Sequence, residues 1–196
     1  MSKLLLLLIG TLFLLPGYAV AEEPATSHGP GVDLAPARVE VGDSAPDATV
    51  YTVASDALQL KSLDGHVRVL VFFMGSSCTG CMQHLAEFGA EVPEFTKLGA
   101  ELYGISADEI AGTEKTLGNL KKLGITDIPV LADPQLNAIH AFGTQIPDQD
   151  MSFHAVFVID KDNVIRLVAR GDKAPGNLPS PKIILAKVKE LVAVED

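Results

Sequence analysis

Apolar residues in this chain fall into short continuous runs and into longer stretches with helical spacing. The run Val67–Phe73, with the sequence VRVLVFF, consists almost entirely of β-branched, aliphatic and aromatic residues. A short run of this kind predicts a central strand that is buried on both faces of a sheet. Similar runs predict four more strands, at Ala100–Ser106, Ile128–Leu131, Phe153–Ile159 and Val164–Ala169.

Helical patterns alternate with these strands. The chain predicts four helices, at Cys78–Lys97, Glu109–Lys122, Asp133–Phe142 and Pro181–Val194. The last two strands flank the short polar segment 160–163, so we expect them to form an antiparallel hairpin. This order of elements predicts an α/β fold in which helices flank a mixed central sheet.

The first 21 residues have a different pattern from the rest of the chain. Lys3 precedes an almost unbroken apolar run, Leu4–Leu15, and Ala19–Ala21 satisfies the small-residue rule for cleavage. A run of about twelve apolar residues is shorter than the ~20 that span a bilayer, so residues 1–21 are predicted to be a secretory signal peptide. We therefore expect an exported protein, located in the bacterial periplasm and without stable membrane insertion after cleavage.

Residues 22–40 contain three prolines and few large apolar side chains, which predicts a flexible leader. Residues 41–196 are then expected to form one folded domain. The whole chain carries 25 acidic residues against 15 lysines and arginines, a formal net charge of −10. Because an acidic surface repels phosphate backbones, nucleic acid is not expected as a partner.

Cys78 and Cys81 are the two cysteines of the chain, and two residues separate them. They follow the predicted central strand at the start of a predicted helix. Unpaired backbone N–H groups and the helix dipole stabilise a thiolate at such a position. Cys81 lies about one helical turn further along, from where it can attack a mixed disulfide formed by Cys78. This context predicts a redox-active dithiol.

The cysteine pair has two other conceivable roles. A structural disulfide between these residues would close a very short loop and would constrain the unfolded chain little. A zinc site needs four ligands, and the chain has no second cysteine pair, although His84 lies on the same predicted helix. The residues favour redox chemistry over both alternatives, and that chemistry requires no cofactor.

Five segments between Val41 and Gly171 carry a family resemblance. They are VGDSAPDATV near the start, LKSLDGHVRVLVFFMGSSCTGC around the dithiol, YGISAD at 103–108, LGITDIPVLADPQLNAIHAFG at 123–143 and HAVFVIDKDNVIRLV at 154–168. In these segments the chain resembles the thioredoxin superfamily, specifically its peroxiredoxin-like (AhpC/TSA, redoxin) branch, with a CxxC motif added. The resemblance implies a thioredoxin-like fold and thiol-dependent redox chemistry.

The resemblance also relates individual positions to family residues. Peroxiredoxins carry a proline, a threonine and a peroxide-reacting cysteine in one segment, with an arginine on a later strand. Met74 stands at the proline position, Cys78 at the threonine position and Cys81 at the cysteine position, while His154 is nearest to the arginine position. His154 also corresponds to the cis-proline that faces the dithiol in thioredoxins. The resemblance therefore implies Cys78, Cys81 and His154 as the catalytic residues.

Three functions are compatible with these candidates. The first is an exported thiol–disulfide oxidoreductase that acts on thiol or disulfide protein partners, in which Cys78 attacks, Cys81 resolves and His154 stabilises a thiolate or shuttles a proton. The second is an antioxidant thiol peroxidase in which Cys81 reacts with hydroperoxides. The third is a copper-binding chaperone of the Sco type that uses Cys78, Cys81 and His154. We expect the first, and we expect His84 and Glu87 to be exposed surface residues of the dithiol helix.

Overall fold

The computed structural model describes residues 38–171 and 178–193. The predicted signal peptide, residues 1–21, and most of the predicted leader therefore lie outside the described residues. In the part of the chain that is described, no helix is both long enough and apolar enough to cross a membrane.

The last three residues of the predicted leader contact the domain. The Arg38 guanidinium lies 5.8 Å from the centre of the Phe153 ring. The Arg170 side chain donates a hydrogen bond to the Val39 carbonyl oxygen. These contacts attach the start of the described chain to Phe153 and Arg170 of the domain.

The described residues form one mixed sheet of seven strands, as the predicted fold class requires. The strands are β1 (Thr49–Tyr51), β2 (Ala57–Gln59), β3 (Val67–Phe72), β4 (Ala100–Ser106), β5 (Val130–Ala132), β6 (Ala155–Ile159) and β7 (Ile165–Arg170). Their spatial order is β2-β1-β5-β4-β3-β6-β7. The pairs β3–β4 and β4–β5 are parallel, and the other neighbours are antiparallel, including the predicted β6–β7 hairpin.

Four α-helices connect or follow these strands in the described residues. They are α1 (Thr79–Lys97), α2 (Ile110–Lys122), α3 (Asn137–Ala141) and α4 (Pro181–Ala193), and a short 3-10 helix spans Leu60–Leu63. The predicted bounds of α1, α2 and α4 agree with these to within one residue at each end. The third helix is the exception, because it is only five residues long.

The shortened third helix has a local cause. Asp133, the predicted first residue of this helix, lies before it and accepts hydrogen bonds at 2.8 Å from the backbone N–H groups of Asn137 and Ile139 in its first turn. Leu136 adopts a left-handed backbone conformation, with φ of 58°, which a continuous right-handed helix does not allow. The chain therefore makes a tight turn after β5, and the helix begins only at Asn137.

The sheet separates two apolar layers, and alternate residues of β3 point into each. Val69 and Val71 pack on one face with side chains from α1, α2 and α4. Leu70 and Phe72 pack on the other face with aromatic and aliphatic side chains that include Phe142. All six residues of β3 are buried, as predicted for a central strand.

Arg68 is the one charged residue of β3, and only 2% of its surface is exposed. Its Nη1 donates to the Leu60 carbonyl at 2.9 Å and lies 2.8 Å from Asp64 Oδ1. Its Nη2 donates to Asn163 Oδ1 at 2.6 Å. The guanidinium therefore connects the central strand to the 3-10 helix and to the turn of the hairpin.

Replacing Arg68 by methionine is expected to lower the free energy of unfolding by about 3 kcal/mol, because the buried Leu60 carbonyl and the partly buried Asn163 side chain lose their donor. The measurement is urea denaturation followed by circular dichroism. Lys97→Met is the matched control, since Lys97 forms an exposed pair with Glu94 on α1, and such pairs contribute under about 0.5 kcal/mol. Equal losses in the two variants would contradict a structural role for Arg68.

Candidate active site

The two cysteines lie where the central strand is followed by the first helix. Cys78 is the N-cap of α1, with extended backbone angles, and Cys81 lies in the first turn. The residues form a disulfide with Cα atoms 5.2 Å apart. The Cys78 sulfur also accepts a hydrogen bond from the Cys81 backbone N–H at 3.2 Å. The predicted placement of the first sulfur at a helix N-terminus is therefore confirmed.

The two sulfur-bearing residues differ in exposure. Cys78 is partly exposed, whereas only 2% of the Cys81 surface is exposed, and Cys81 packs into the apolar layer beneath α1. An incoming reactant therefore reaches Cys78 more readily than Cys81. This asymmetry is what a pair with an attacking and a resolving cysteine requires.

Asp108 holds the loop that precedes the dithiol. Its Oδ2 accepts a hydrogen bond from the Ser76 backbone N–H at 2.7 Å. Gly75 has φ of +123°, and a Cβ atom there would lie 2.7 Å from Asp108 Oδ1, so both conformation and space require glycine. Sequence reasoning missed this role of Asp108. The sequence feature that could have revealed it is the position of Asp108 just after β4. Because β3 and β4 are parallel neighbours, their carboxyl ends lie at the same edge of the sheet.

His154 lies directly before β6, and the β-sheet register determines its neighbours. Phe72 pairs with Ala155 in the antiparallel β3–β6 ladder. His154 therefore lies beside Phe73, the residue that follows β3. The loop to the dithiol begins at that point. His154 is 8% exposed, and it lines the same cleft as Cys78 and Cys81. The structure thus brings together all three residues implied by the resemblance.

His84 was expected to be exposed, and that expectation is wrong. It is partly buried on α1, and its Nδ1 lies 3.2 Å from Nε2 of His154, within hydrogen-bond distance. The two rings are nearly perpendicular, with centres 4.7 Å apart. The Phe88 ring packs edge-on against His84 from one turn further along α1. Glu87 is exposed, as expected.

Burial controls the ionisation of both histidines. It lowers the pKa of His154 from 6.5 to about 3, and the neighbouring His84 contributes in the same direction. Burial also lowers the pKa of His84, although the Pro179 carbonyl and Glu87 act in the opposite direction. The pair is therefore neutral at pH 7, and one ring donates a hydrogen bond to the other.

An open cleft of about 860 Å³ surrounds the dithiol and the histidine pair. Its walls are largely apolar, formed by side chains such as Met74, Ile146, Phe153 and Leu178. Arg38 and Glu87 contribute its charged groups. A cleft of this size and character can receive a polypeptide segment as well as a small molecule.

The described residues contain no group of three or more His, Cys, Asp or Glu side chains placed to hold a metal ion. In the disulfide form of Cys78 and Cys81, residues 38–171 and 178–193 therefore offer no ready ligand set to the copper-chaperone alternative. The geometry instead places a nucleophile at a helix N-terminus, a second cysteine one turn away and two neutral imidazoles beside them. This arrangement suits thiol chemistry with proton transfer.

Comparison with known proteins gives the same classification. A family model described as the AhpC/TSA family matches residues 41–168. Peroxiredoxin-2 from Mus musculus is 28% identical over 149 residues, which cover 73% of this chain and 75% of that protein. Alkyl hydroperoxide reductase C from Pseudomonas aeruginosa (strain UCBPP-PA14) is 28% identical over 108 residues, which cover 55% of this chain and 58% of that protein.

The fold is likewise similar to that of a solved structure. The crystal structure of Enterococcus faecalis AhpC superposes with a TM-score of 0.69 at 17% sequence identity, covering 79% of this chain and 93% of that one. The thioredoxin-like fold predicted from sequence is thereby confirmed. Because the family match spans residues 41–168, well over half of the chain, this protein belongs to the AhpC/TSA family and is a thiol-dependent oxidoreductase.

Proposed function

We propose that this protein is an exported thiol–disulfide oxidoreductase that uses Cys78 and Cys81 as a dithiol/disulfide couple. The observation that carries the proposal is the unequal exposure of the two cysteines at the helix N-terminus. A partner disulfide can reach the outer sulfur, and the inner sulfur lies within reach of the resulting mixed disulfide. The export part of the proposal depends on the signal-peptide pattern of residues 1–21.

Helix geometry supports Cys78 as the attacking residue. The backbone N–H of Cys81 points at the Cys78 sulfur, and the positive end of the α1 dipole lies at the same place. Both interactions favour the anion, which is the reactive form of cysteine. The open apolar cleft supports a protein partner, because it can accept side chains that flank a disulfide.

His154 is proposed as the third catalytic residue. In the resemblance to peroxiredoxins it stands nearest to the position of an arginine, a permanent cation. The low pKa of His154 leaves this position neutral, so it lacks the positive charge with which an arginine would polarise a peroxide. This difference is one reason to favour disulfide exchange over peroxide reduction.

Hydroperoxide reduction is the second candidate function, and the comparisons favour it. The relatives include a peroxiredoxin and an alkyl hydroperoxide reductase. Cys81 occupies the position of the peroxide-reacting cysteine, and Cys78 would then resolve its sulfenic acid. The burial of Cys81 and the replacement of proline and threonine by Met74 and Cys78 weaken this candidate.

The two candidates differ in which cysteine reacts first. In one experiment, the reduced protein is mixed separately with disulfide-bonded insulin and with hydrogen peroxide, and the two rates are compared. In a second, the variants Cys78→Ser and Cys81→Ser are treated with peroxide, and any sulfenic acid is trapped with dimedone. We expect rapid insulin reduction and slow peroxide oxidation, with no preferential sulfenic acid at Cys81. Fast peroxide consumption that leaves a sulfenic acid at Cys81 in Cys78→Ser would establish the peroxidase and overturn the exchange proposal.

A further inference from the structure

We propose that His84 and His154 form a two-ring proton relay that accepts the proton of the resolving Cys81 thiol, with His84 positioning His154 and holding the transferred charge. The inference rests on the proposed function, because Cys81 must lose a proton before it can resolve a mixed disulfide. It adds a residue that lies outside the dithiol motif and was expected to be exposed.

The contacts of His84 determine which nitrogens carry hydrogen. Its Nδ1 faces Nε2 of His154 at 3.2 Å. Its Nε2 is buried and has no hydrogen bond of normal geometry in the described residues, and the Pro179 carbonyl is the backbone group that acts on this ring. A carbonyl can only accept, so it favours hydrogen on Nε2 of His84. Nδ1 of His84 is then an acceptor, and His154 must donate to it from Nε2.

The hydrogen position on His154 determines which of its nitrogens can accept a proton. A neutral imidazole carries one hydrogen, and in His154 that hydrogen is on Nε2. Its Nδ1 therefore has a lone pair, on a ring that lines the dithiol cleft. His84 lies three residues after Cys81 on α1, so the two side chains are neighbours on one helix face. Cys81, His84 and His154 all line the same cleft, so the relay faces the place where the resolving thiol reacts.

The reduction of a partner disulfide by this site balances in atoms, protons and electrons. The Cys78 thiolate, whose proton has gone to solvent, attacks the partner disulfide, and one partner sulfur leaves as a thiolate that takes a proton from solvent. The Cys81 proton passes to Nδ1 of His154, while the Nε2 proton of His154 passes to Nδ1 of His84. The Cys81 thiolate attacks the Cys78 sulfur, and the second partner sulfur leaves and recovers the proton as the relay reverses. The partner gains two electrons and two protons, and the cysteines become a disulfide.

The surroundings favour the transferred charge on His84 rather than on His154. His154 is the more deeply buried of the two, and its Nε2 faces the other imidazole, which is neutral. His84 has the Pro179 carbonyl and the Glu87 carboxylate to stabilise a cation. Arg38 is the remaining charged side chain among the described residues that line the cleft. The Cys81 proton is therefore accepted more easily by the two rings together than it would be by His154 alone, because the positive charge can rest on His84.

The test separates attack from resolution with dithiobis-nitrobenzoate, which releases one coloured thiolate at each step. In the wild type we expect two phases, the second nearly independent of pH from about pH 7 to 8 because the relay supplies the base. In His84→Leu the second phase should slow by roughly 10- to 100-fold near neutral pH and gain about a tenfold increase per pH unit, as the thiolate fraction rises. The first phase should change less than about twofold, since Cys78 makes that attack.

Three further variants test whether the slower second phase is caused by loss of the histidine relay. His84→Asn offers an amide oxygen near the Nδ1 position and should recover part of the second phase. Adding His84→Leu to His154→Leu should slow the reaction no further, since the two residues act as one unit. His66→Leu is the matched control, because His66 is exposed at the opposite end of β3 from the dithiol, and neither phase should change.

A second measurement does not depend on any variant. Nitrogen chemical shifts of the wild-type imidazoles should show both His84 and His154 with hydrogen on Nε2 at pH 7. Hydrogen on Nδ1 of His154, or an unchanged second phase in His84→Leu, overturns the relay. If the wild type fails to release the second coloured thiolate at all, the proposed exchange function fails and the relay falls with it.

Discussion

Cys78→Ser is expected to lose at least about a thousandfold in the rate of protein-disulfide reduction. The hydroxyl of serine remains protonated at neutral pH, so the helix N-terminus has no anion to stabilise and the partner disulfide meets no nucleophile. Cys81 cannot substitute for it, because only 2% of the Cys81 surface is exposed. The measurement is the turnover of insulin reduction with a dithiol reductant in excess.

Cys81→Ser is the matched control, and its expected behaviour is different. The outer thiol still attacks, but no inner thiol resolves the product, so one partner molecule per chain should accumulate as a mixed disulfide. Gel electrophoresis without reductant detects that adduct, and mass spectrometry should locate it at Cys78. An adduct at Cys81 in Cys78→Ser, with none at Cys78 in Cys81→Ser, would reverse the assigned roles.

Acidification from pH 7 to pH 3 is expected to remove about 4 kcal/mol of stability through His154 alone, at ~1.4 kcal/mol per pKa unit and with the folded imidazole half protonated at pH 3. The unfolded chain binds a proton at this imidazole below about pH 6.5, whereas burial lowers the folded pKa to about 3. The unfolded state therefore holds the extra proton between these two values. The contribution is fully present above pH 6.5 and is lost as pH falls toward 3. Because His154 is only 8% exposed, solvent screens little of it.

The stability difference between the wild type and His154→Leu reports the effect of the histidine pair, His154 with the His84 ring that contacts it, when urea denaturation is measured at several pH values. A comparison of two proteins is needed because Asp133 changes the stability of the fold with pH in the opposite direction to His154. Burial raises the pKa of Asp133 from 3.8 to about 6, so its contribution falls as pH rises through that window. The Asp133 contribution is common to both proteins and cancels. A difference that does not change between pH 7 and pH 4 would show that His154 is not held neutral by burial.

The elements predicted from sequence are those whose signals are local. The apolar run of β3 and the helical spacing of α1 depend on neighbouring residues, and both were found within one residue of their predicted bounds. The placement of Cys78 at a helix N-terminus follows from the same two elements. By contrast, β1 and β2 were not predicted. Three residues are too few to show an alternating pattern, and these strands exist because they pair with each other and β1 with β5.

The parts of the site that sequence reasoning missed all depend on contacts between distant segments. The hydrogen bond from Ser76 to Asp108 joins residues 32 positions apart, and it forms because β3 and β4 are parallel neighbours. The contact between His84 and His154 spans 70 positions. In sequence, His84 is one polar residue on a helix, and nothing in its local pattern distinguishes a buried partner from a solvent-exposed side chain.

By itself, the sequence determined the class of fold, the dithiol and its position at the start of a helix, because strand and helix periodicity and capping are properties of adjacent residues. The tertiary structure alone decided which sulfur is accessible and which side chains surround the pair. Burial and pKa depend on what packs against a residue, and that is set by the register of β6 on β3 and by the packing of α1 over the sheet.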